Sequence, residues 1–151
     1  MPIAARVGII RTATPDDADR LAELSGTLGY PVSSKAMRLR LERLLNEASE
    51  IIIVAEQPAG RVVGWLHGSE QELLESGTRC EILGLVVDEM HRRQGTGRAL
   101  VAAVEAWASQ RGLQQVAVRS NIARIESHGF YEHLGYIRTK TQHAYRKALD
   151  R

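Results

Sequence analysis

Apolar residues fall along this chain in two textures, helical spacing and β-branched runs, and the changes between them mark the elements. "VGIIRTA" predicts a short first strand. "TPDD" predicts a helix start, with Thr14 as N-cap, Pro15 in the first turn, and Asp16 and Asp17 near the positive end of the helix dipole. Ala18, Leu21, Leu24 and Leu28 continue that helix until "GYPVSS" breaks it. A second helix follows with Met37, Leu41, Leu44, Leu45 and Ala48 as its inward stripe and Arg38, Arg40, Glu42 and Arg43 facing water. "IIIVAE", the turn "QPAG" and "RVVGWLH" predict a hairpin. "EQELLESG" predicts a polar loop, and "RCEILGLVVD", with little polar alternation, a central strand buried on both faces. An Ala-rich helix from Gly97 to Arg111 carries Leu100, Val104 and Trp107 on one side and stops at Gly112. "QQVAVRS" then reads as a strand, "ARIESHGFYEHLG" as a short helix stopped by Gly135, and "YIRTKTQHAYRKAL" as two last short strands. The order β-α-α-β-β-β-α-β-α-β-β is that of an α/β (α+β mixed) fold, a central mixed sheet of about seven strands flanked by about four helices.

The 151 residues show no internal repeat, low-complexity tract or long linker, so they are read as one domain, 1–151. With 44% hydrophobic and 25% charged residues, the balance is that of a folded chain rather than a disordered tail. A net charge of +2 and 5% aromatic residues offer neither the field nor the stacking platform that nucleic acid needs, so none is expected as a partner. No apolar run approaches a membrane span, and the first residues lack the apolar centre of a signal peptide, so no membrane association is expected. Cys80 is the only cysteine, which excludes an internal disulfide and fits a cytoplasmic protein. Its place in "RCEIL" predicts a buried, inert thiol. No His, Cys and Asp cluster has metal-ligand spacing, so no metal is expected.

The chemistry begins at "HRRQGTGRAL", where glycines and arginines stand at the start of a helix. The first turn of a helix presents unpaired N–H groups and about half a positive charge, and glycine lets an anion approach the backbone closely. Gly95 and Gly97 supply that access and Arg92, Arg93 and Arg98 mobile charge; the plainer reading is a chain turn with solvated arginines. A P-loop is excluded because no Gly-x-x-x-x-Gly-Lys-Ser/Thr run exists. A dinucleotide fingerprint is excluded because Leu100 stands where its third glycine belongs.

"LGLVVDEMHRRQGTGRAL" resembles the central signature of the GNAT superfamily of acetyl-CoA-dependent N-acetyltransferases, a hydrophobic strand followed by Arg/Gln-x-x-Gly-x-Gly/Ala, with Arg92, Gly95 and Gly97 at the motif positions. "SNIARIESHGFYEHLGY" resembles the second signature, an Asn after the next strand and then Phe-Tyr-x-x-x-Gly-Tyr/Phe. Arg93 departs from the pattern, since the family often has glycine there. The resemblance implies a mostly antiparallel sheet and acetyl-CoA as co-substrate. Its pyrophosphate would lie on the amides of Gln94, Gly95, Thr96, Gly97 and Arg98, and its pantetheine arm would pair with the backbone of Leu85 and Val87 as a false extra strand. Gly84 would host a bulge that helps the strands part, and an N–H near Leu85 and Val86 would polarise the thioester carbonyl. Asn121 would hydrogen-bond the pantetheine amide, although it equally suits a helix N-cap or turn.

An amine attacks a thioester only as the neutral base, yet a lysine-like amine has a pKa of about 10, so something must accept its proton. Glu81 matches the glutamate that serves as base in the histone-acetylating branch; the competing reading is a strand-start glutamate facing water or pairing with Arg79. Tyr131 matches the general acid for the departing thiolate, its alternative being a packed core aromatic, a part that Phe130 also suits. The expected activity is acetyl transfer directly to a primary amine of a small molecule or protein in a ternary complex. The acceptor wall would come from "LGYPVSS" and "HGSEQELLESG", with Glu70, Glu72 and Glu75 available to a cationic amine and Tyr30 and Trp65 to its body. A non-catalytic acetyl-CoA sensor is the alternative; Glu81 and Tyr131 together argue for an enzyme. Homodimers are common in the family, so a homodimer is a further expectation.

Overall fold

A computed structural model gives the structure of the chain and describes residues 8–120 and 125–150. The chain divides into two units, Met1–Val118 and Arg119–Arg151.

The first unit holds one five-stranded sheet in sequential order: β1 (Ile9–Thr12), β2 (Glu50–Glu56), β3 (Val62–Leu73), β4 (Gly77–Val87) and β5 (Val116–Val118). The first four strands are antiparallel, and β5 runs parallel to β4. Parallel neighbours need a crossover, which is the helix α3 (Thr96–Gln110). Helices α1 (Ala18–Thr27) and α2 (Ser34–Leu44) lie between β1 and β2 in sequence.

The start of α1 is fixed as its sequence implies. Asp17 accepts from the Thr14 backbone N–H at 2.8 Å and holds the Arg11 guanidinium through two bonds of 2.9 Å. A short 3-10 turn, Pro15–Asp17, leads into α1, whose Ala18, Leu21 and Leu24 are buried. Ser33 caps α2 by accepting from the Ala36 N–H at 3.0 Å. These helices close a core with Ile52, Val54, Val62 and Val86, and Met37, Leu44 and Leu45 pack at its margin. Ala48 does not belong to the stripe: α2 ends at Leu44 and Ala48 is exposed.

The other sheet face receives α3 through Leu100, Val101, Val104 and Ala108. Trp107 is only half-buried, and the Arg111 guanidinium lies 4.7 Å from the centre of its ring. The helix settles closely onto β3 because two residues beneath it lack side chains. A Cβ on Gly64 would stand 3.2 Å from Leu100 Cδ1, and one on Gly68 would stand 2.8 Å from Val104 Cγ2. Gly112 ends α3 at φ +79, with Gly112 donating to Ser109 and Leu113 to Ala108, a Schellman closure.

The hairpin β3–β4 is longer than its sequence suggests. "EQELLESG" is not a loop: β3 continues to Leu73 and β4 starts at Gly77, so the ladder runs through Glu70 and Glu72. Backbone pairing is indifferent to exposed charge, and Arg111 neutralises Glu70 at 2.7 Å. The middle of the sheet is accordingly β3, with β4 next to the edge.

In the second unit α4 (Ile125–His133) ends at Gly135, φ +94, by the same pair of bonds: Gly135 to Glu132 and Tyr136 to Tyr131. The two last strands expected in residues 136–149 are absent among the described residues, which makes five strands rather than seven. Ile137, Tyr145 and Leu149 are all exposed, too sparse to form the apolar face that holds a strand on a sheet. No helix among the described residues is long and apolar enough to cross a membrane.

Candidate active site

The turn from β4 to α3 is held at its first step. Asp88 accepts from the Met90 N–H at 3.0 Å and from the Arg20 guanidinium at 2.6 Å, while Arg20 Nε donates to the Val62 carbonyl at 2.8 Å. These bonds fasten the exit of β4 to α1. Beyond the 3-10 turn Glu89–His91 the chain passes Arg92 in extended conformation, Arg93 at φ 65 and Gly95 at φ 87. Gly95 is the N-cap of α3 and brings no capping side chain, and its carbonyl accepts the first helical bond, from Ala99 at 2.9 Å. The N–H groups of Thr96, Gly97 and Arg98 therefore have no acceptor within the helix. The Thr96 side chain turns inward, its residue 3% exposed and its methyl packed toward Gly64, so its offering is the amide alone. Arg92, Arg93 and Arg98 are exposed and form no ion pair among the described residues.

The edge of β4 is the second element. Among the described residues, β5 pairs only with Cys80, Glu81 and Ile82, and no strand pairs with β4 on that side from Leu83 to Val87. Which amides face the gap follows from ladder alternation. Cys80 donates to Gln115 on the β5 side, whereas Asp88 donates to Val63 on the β3 side. An extra residue, Leu83, sits between the pairs Gly68–Ile82 and His67–Gly84, and it shifts the alternation by one. Leu85 and Val87 consequently turn their N–H groups to the open side, and Val86 turns its own to β3. Of the two amides expected to face a carbonyl, that of Leu85 faces the open side and that of Val86 faces β3. The bulge lies beside Gly84, where a Cβ would stand 2.8 Å from the Trp65 ring.

Cross-strand pairs show which side chains share the α1–α2 face. Glu50, Ser69 and Glu81 form one row, and Ile52, His67 and Gly84 the next. Glu81 is buried and accepts from Arg79 Nη2 at 3.1 Å, so the pairing weighed as its alternative is present. Glu50 makes three bonds: from Ser69 at 2.6 Å, from Ser49 at 2.9 Å, and with His67 Nε2 at 2.7 Å. Burial pushes the Glu50 carboxyl up, but the bonds from Ser69, His67 and Ser49 outweigh it and hold it below its ordinary value. His67 had no role in the sequence reading. The signal was its strand alternation with Trp65, which is legible only once β2 supplies Glu50.

A cavity of about 470 Å³ opens on this face, lined among others by Tyr30, Met37, Arg40, Leu41, Trp65 and His67. The segment after α1 frames it as expected, but Glu70, Glu72 and Glu75 do not line it. Trp65 Nε1 is buried without a hydrogen-bond partner among the described residues.

Tyr131 lies in the second unit, edge-on to Phe130 at 5.0 Å and to Tyr136 at 5.8 Å between ring centres. Burial pushes its phenol above the ordinary value, which keeps it protonated at neutral pH. Asn121 lies outside the described residues. Burial pushes the Cys80 thiol up to about 11, as an inert cysteine requires.

Uncapped helical amides beside free arginines, continuous with a strand edge that offers two N–H groups, form a cradle for a diphosphate joined to an amide-bearing arm. That cradle, next to a cavity on the α1–α2 face, has the form that an acyl-CoA and a second substrate would require. Residues 18–136 match the acetyltransferase (GNAT) family. Aminoglycoside N(6′)-acetyltransferase type 1 of Stenotrophomonas maltophilia is 28% identical over 145 residues, covering 93% of this chain and 94% of that protein. The structure of aminoglycoside 6′-N-acetyltransferase AAC(6′)-IG from Acinetobacter haemolyticus is similar with a TM-score of 0.81 at 22% identity, over 94% of this chain and 99% of that one. AAC(6′)-Iy in complex with CoA is similar with a TM-score of 0.83 at 21% identity, over 93% and 95% of the two chains. The chain belongs to the GNAT acetyltransferase family and is an acetyl-CoA-dependent N-acetyltransferase.

Proposed function

We propose that residues 1–151 act as one domain that acetylates a primary amine of a small molecule directly, with both substrates bound together. One observation carries this reading: the open β4 edge and the cavity meet at the bulge, where His67 of the cavity wall pairs with Gly84 beside Leu85. A donor on one side and an acceptor on the other would thus share a border, and no residue need carry the acetyl group between them. The family match spans both units of the chain, which supports the single domain.

Acetyl-CoA supplies an activated carbonyl carbon and a thiolate leaving group. The amides of Gln94 to Arg98, with Arg92 and Arg93, hold its diphosphate; Leu85 and Val87 hold its arm. The Leu85 N–H donates to the carbonyl oxygen as charge develops there. Glu81 takes the proton that the amine loses as its nitrogen bonds to carbon and the carbon–sulfur bond breaks. Tyr131 then gives its phenolic proton to sulfur. A second reading of the base is favoured by one observation: His67, held by Glu50, lines the cavity, and Glu81 does not.

Initial rates with both substrates varied test the direct transfer; intersecting lines are expected, and parallel lines would point to a covalent acetyl-enzyme instead. The base is decided by Glu81→Gln against His67→Gln, since loss of a positioned base costs about 10²–10⁴-fold in kcat. If only His67→Gln suffers, Glu81 is structural. Tyr131→Phe should slow turnover and leave acetyl-CoA affinity intact; full activity would remove Tyr131 from the reaction.

A further inference from the structure

Resting on this reading of the cavity as the acceptor site, we propose that the acceptor is a monoamine with an apolar body and a carboxylate, the chemistry of a hydrophobic amino acid, and not a polycation. The lining argues it. Tyr30, Met37, Leu41, Leu44 and Trp65 present an apolar wall, and the volume of about 470 Å³ suits one small ligand. Among the described residues, the charged or titratable groups facing the space are Arg40 from α2, His67 from β3 and the phenol of Tyr30, and no carboxylate lines it. Glu50 stands behind His67 and is occupied by three partners, and Glu81 is engaged by Arg79. A polyamine or aminoglycoside would bring several cations to a wall that offers no anion and already holds a guanidinium.

The donor left over suits an anion. Arg40 lines the cavity, is exposed and has no ion pair among the described residues. A ligand carboxylate pairs with it. The amine end then belongs at His67, beside the bulge and the β4 edge. The relatives named for aminoglycosides share the fold, but this lining sets a different acceptor.

The test compares L-phenylalanine, phenethylamine, which lacks the carboxylate, and kanamycin in acetyl-CoA-dependent thiol release. L-phenylalanine should exceed phenethylamine by about tenfold in kcat/KM, the equivalent of about 1.4 kcal/mol, with kanamycin lowest. Arg40→Ala should remove that advantage through the KM for L-phenylalanine, with a much smaller effect on phenethylamine, while Arg40→Lys retains most of it. A preference for kanamycin, or an equal loss on both monoamines, overturns the proposal. Calorimetric titration of the same amines into the CoA-saturated protein separates the two claims. The same order of affinities without turnover would refute the transfer reading and uphold the cavity assignment; equal, reversed or absent binding would refute the cavity assignment.

Discussion

Arg93 holds its backbone at φ 65, a conformation that costs an L-residue about 1–2 kcal/mol and that glycine adopts freely. The family's usual glycine at this position has its explanation in that angle, and the arginine stays in spite of it. Arg93→Gly relieves the strain, offset in part by the greater freedom of the unfolded chain, so a net gain of under about 1 kcal/mol is expected in urea unfolding. With Arg93 beside the diphosphate as proposed, the same variant should raise the KM for acetyl-CoA; an unchanged KM would mean Arg93 serves the loop only. Cys80 gives a second check at this scale. Buried and with its thiol pushed up to about 11, it should ignore Ellman's reagent in the folded protein and react at once in denaturant. Residues whose role is local were readable in advance: Ser33's neighbourhood as a helix start, Gly112 and Gly135 as helix stops and Cys80 as a buried thiol, while Arg79 stood only as the alternative partner of Glu81. His67 was not, because its meaning comes from Glu50, which the register brings opposite Ser69 from a different strand.

At the scale of elements, the glycines of β3 decide how closely α3 can sit. Gly68→Ala places a methyl 2.8 Å from Val104 Cγ2 and 3.1 Å from Ile51 Cγ2, contacts that a strand clamped between β2 and β4 cannot relieve by moving. A loss of about 1–3 kcal/mol is expected, read as a lower urea midpoint at unchanged slope. Gly68→Ala with Val104→Ala should recover part of it, and a double variant no better than the single would place the strain elsewhere. Helices were legible because caps and stripes are written in neighbouring residues. Strand lengths were less so. Glu70 and Glu72 look like loop residues, yet a hairpin ladder continues past polar side chains wherever both strands can pair. The two expected final strands failed for the opposite reason: apolar letters were present in residues 136–149, but Ile137, Tyr145 and Leu149 make no buried face.

Across the molecule, charge ties the sheet to the helices that cover it, and this sets how the protein meets acid. Asp17 and Asp88 are held below their ordinary values despite burial, which pushes each up: Asp17 by Arg11 and the Thr14 N–H, Asp88 by the Met90 N–H and Arg20. Glu50 is held down by Ser69, His67 and Ser49 against the same effect. Each group has a lower pKa folded than unfolded, so the unfolded chain binds more protons over the range between. Stability is then fully present above the unfolded carboxylate range, about pH 4–5, and falls as pH drops through the folded values. The expected profile is a plateau at neutral pH and a steep loss of melting temperature below about pH 4.5. Asp17→Asn and Glu50→Gln should each lower the plateau and flatten the acid limb, since a group that cannot titrate cannot contribute to the slope. An acid limb left as steep in the double variant would assign acid unfolding to other carboxylates. Because Asp17 pins the start of α1, Asp88 the exit of β4 and Glu50 the cavity histidine, acid should reach the proposed acceptor face first. Loss of amine binding ahead of global unfolding, followed by calorimetry and circular dichroism on the same pH series, is the outcome this arrangement requires; loss of both together would show that the three carboxylates guard the fold as one unit.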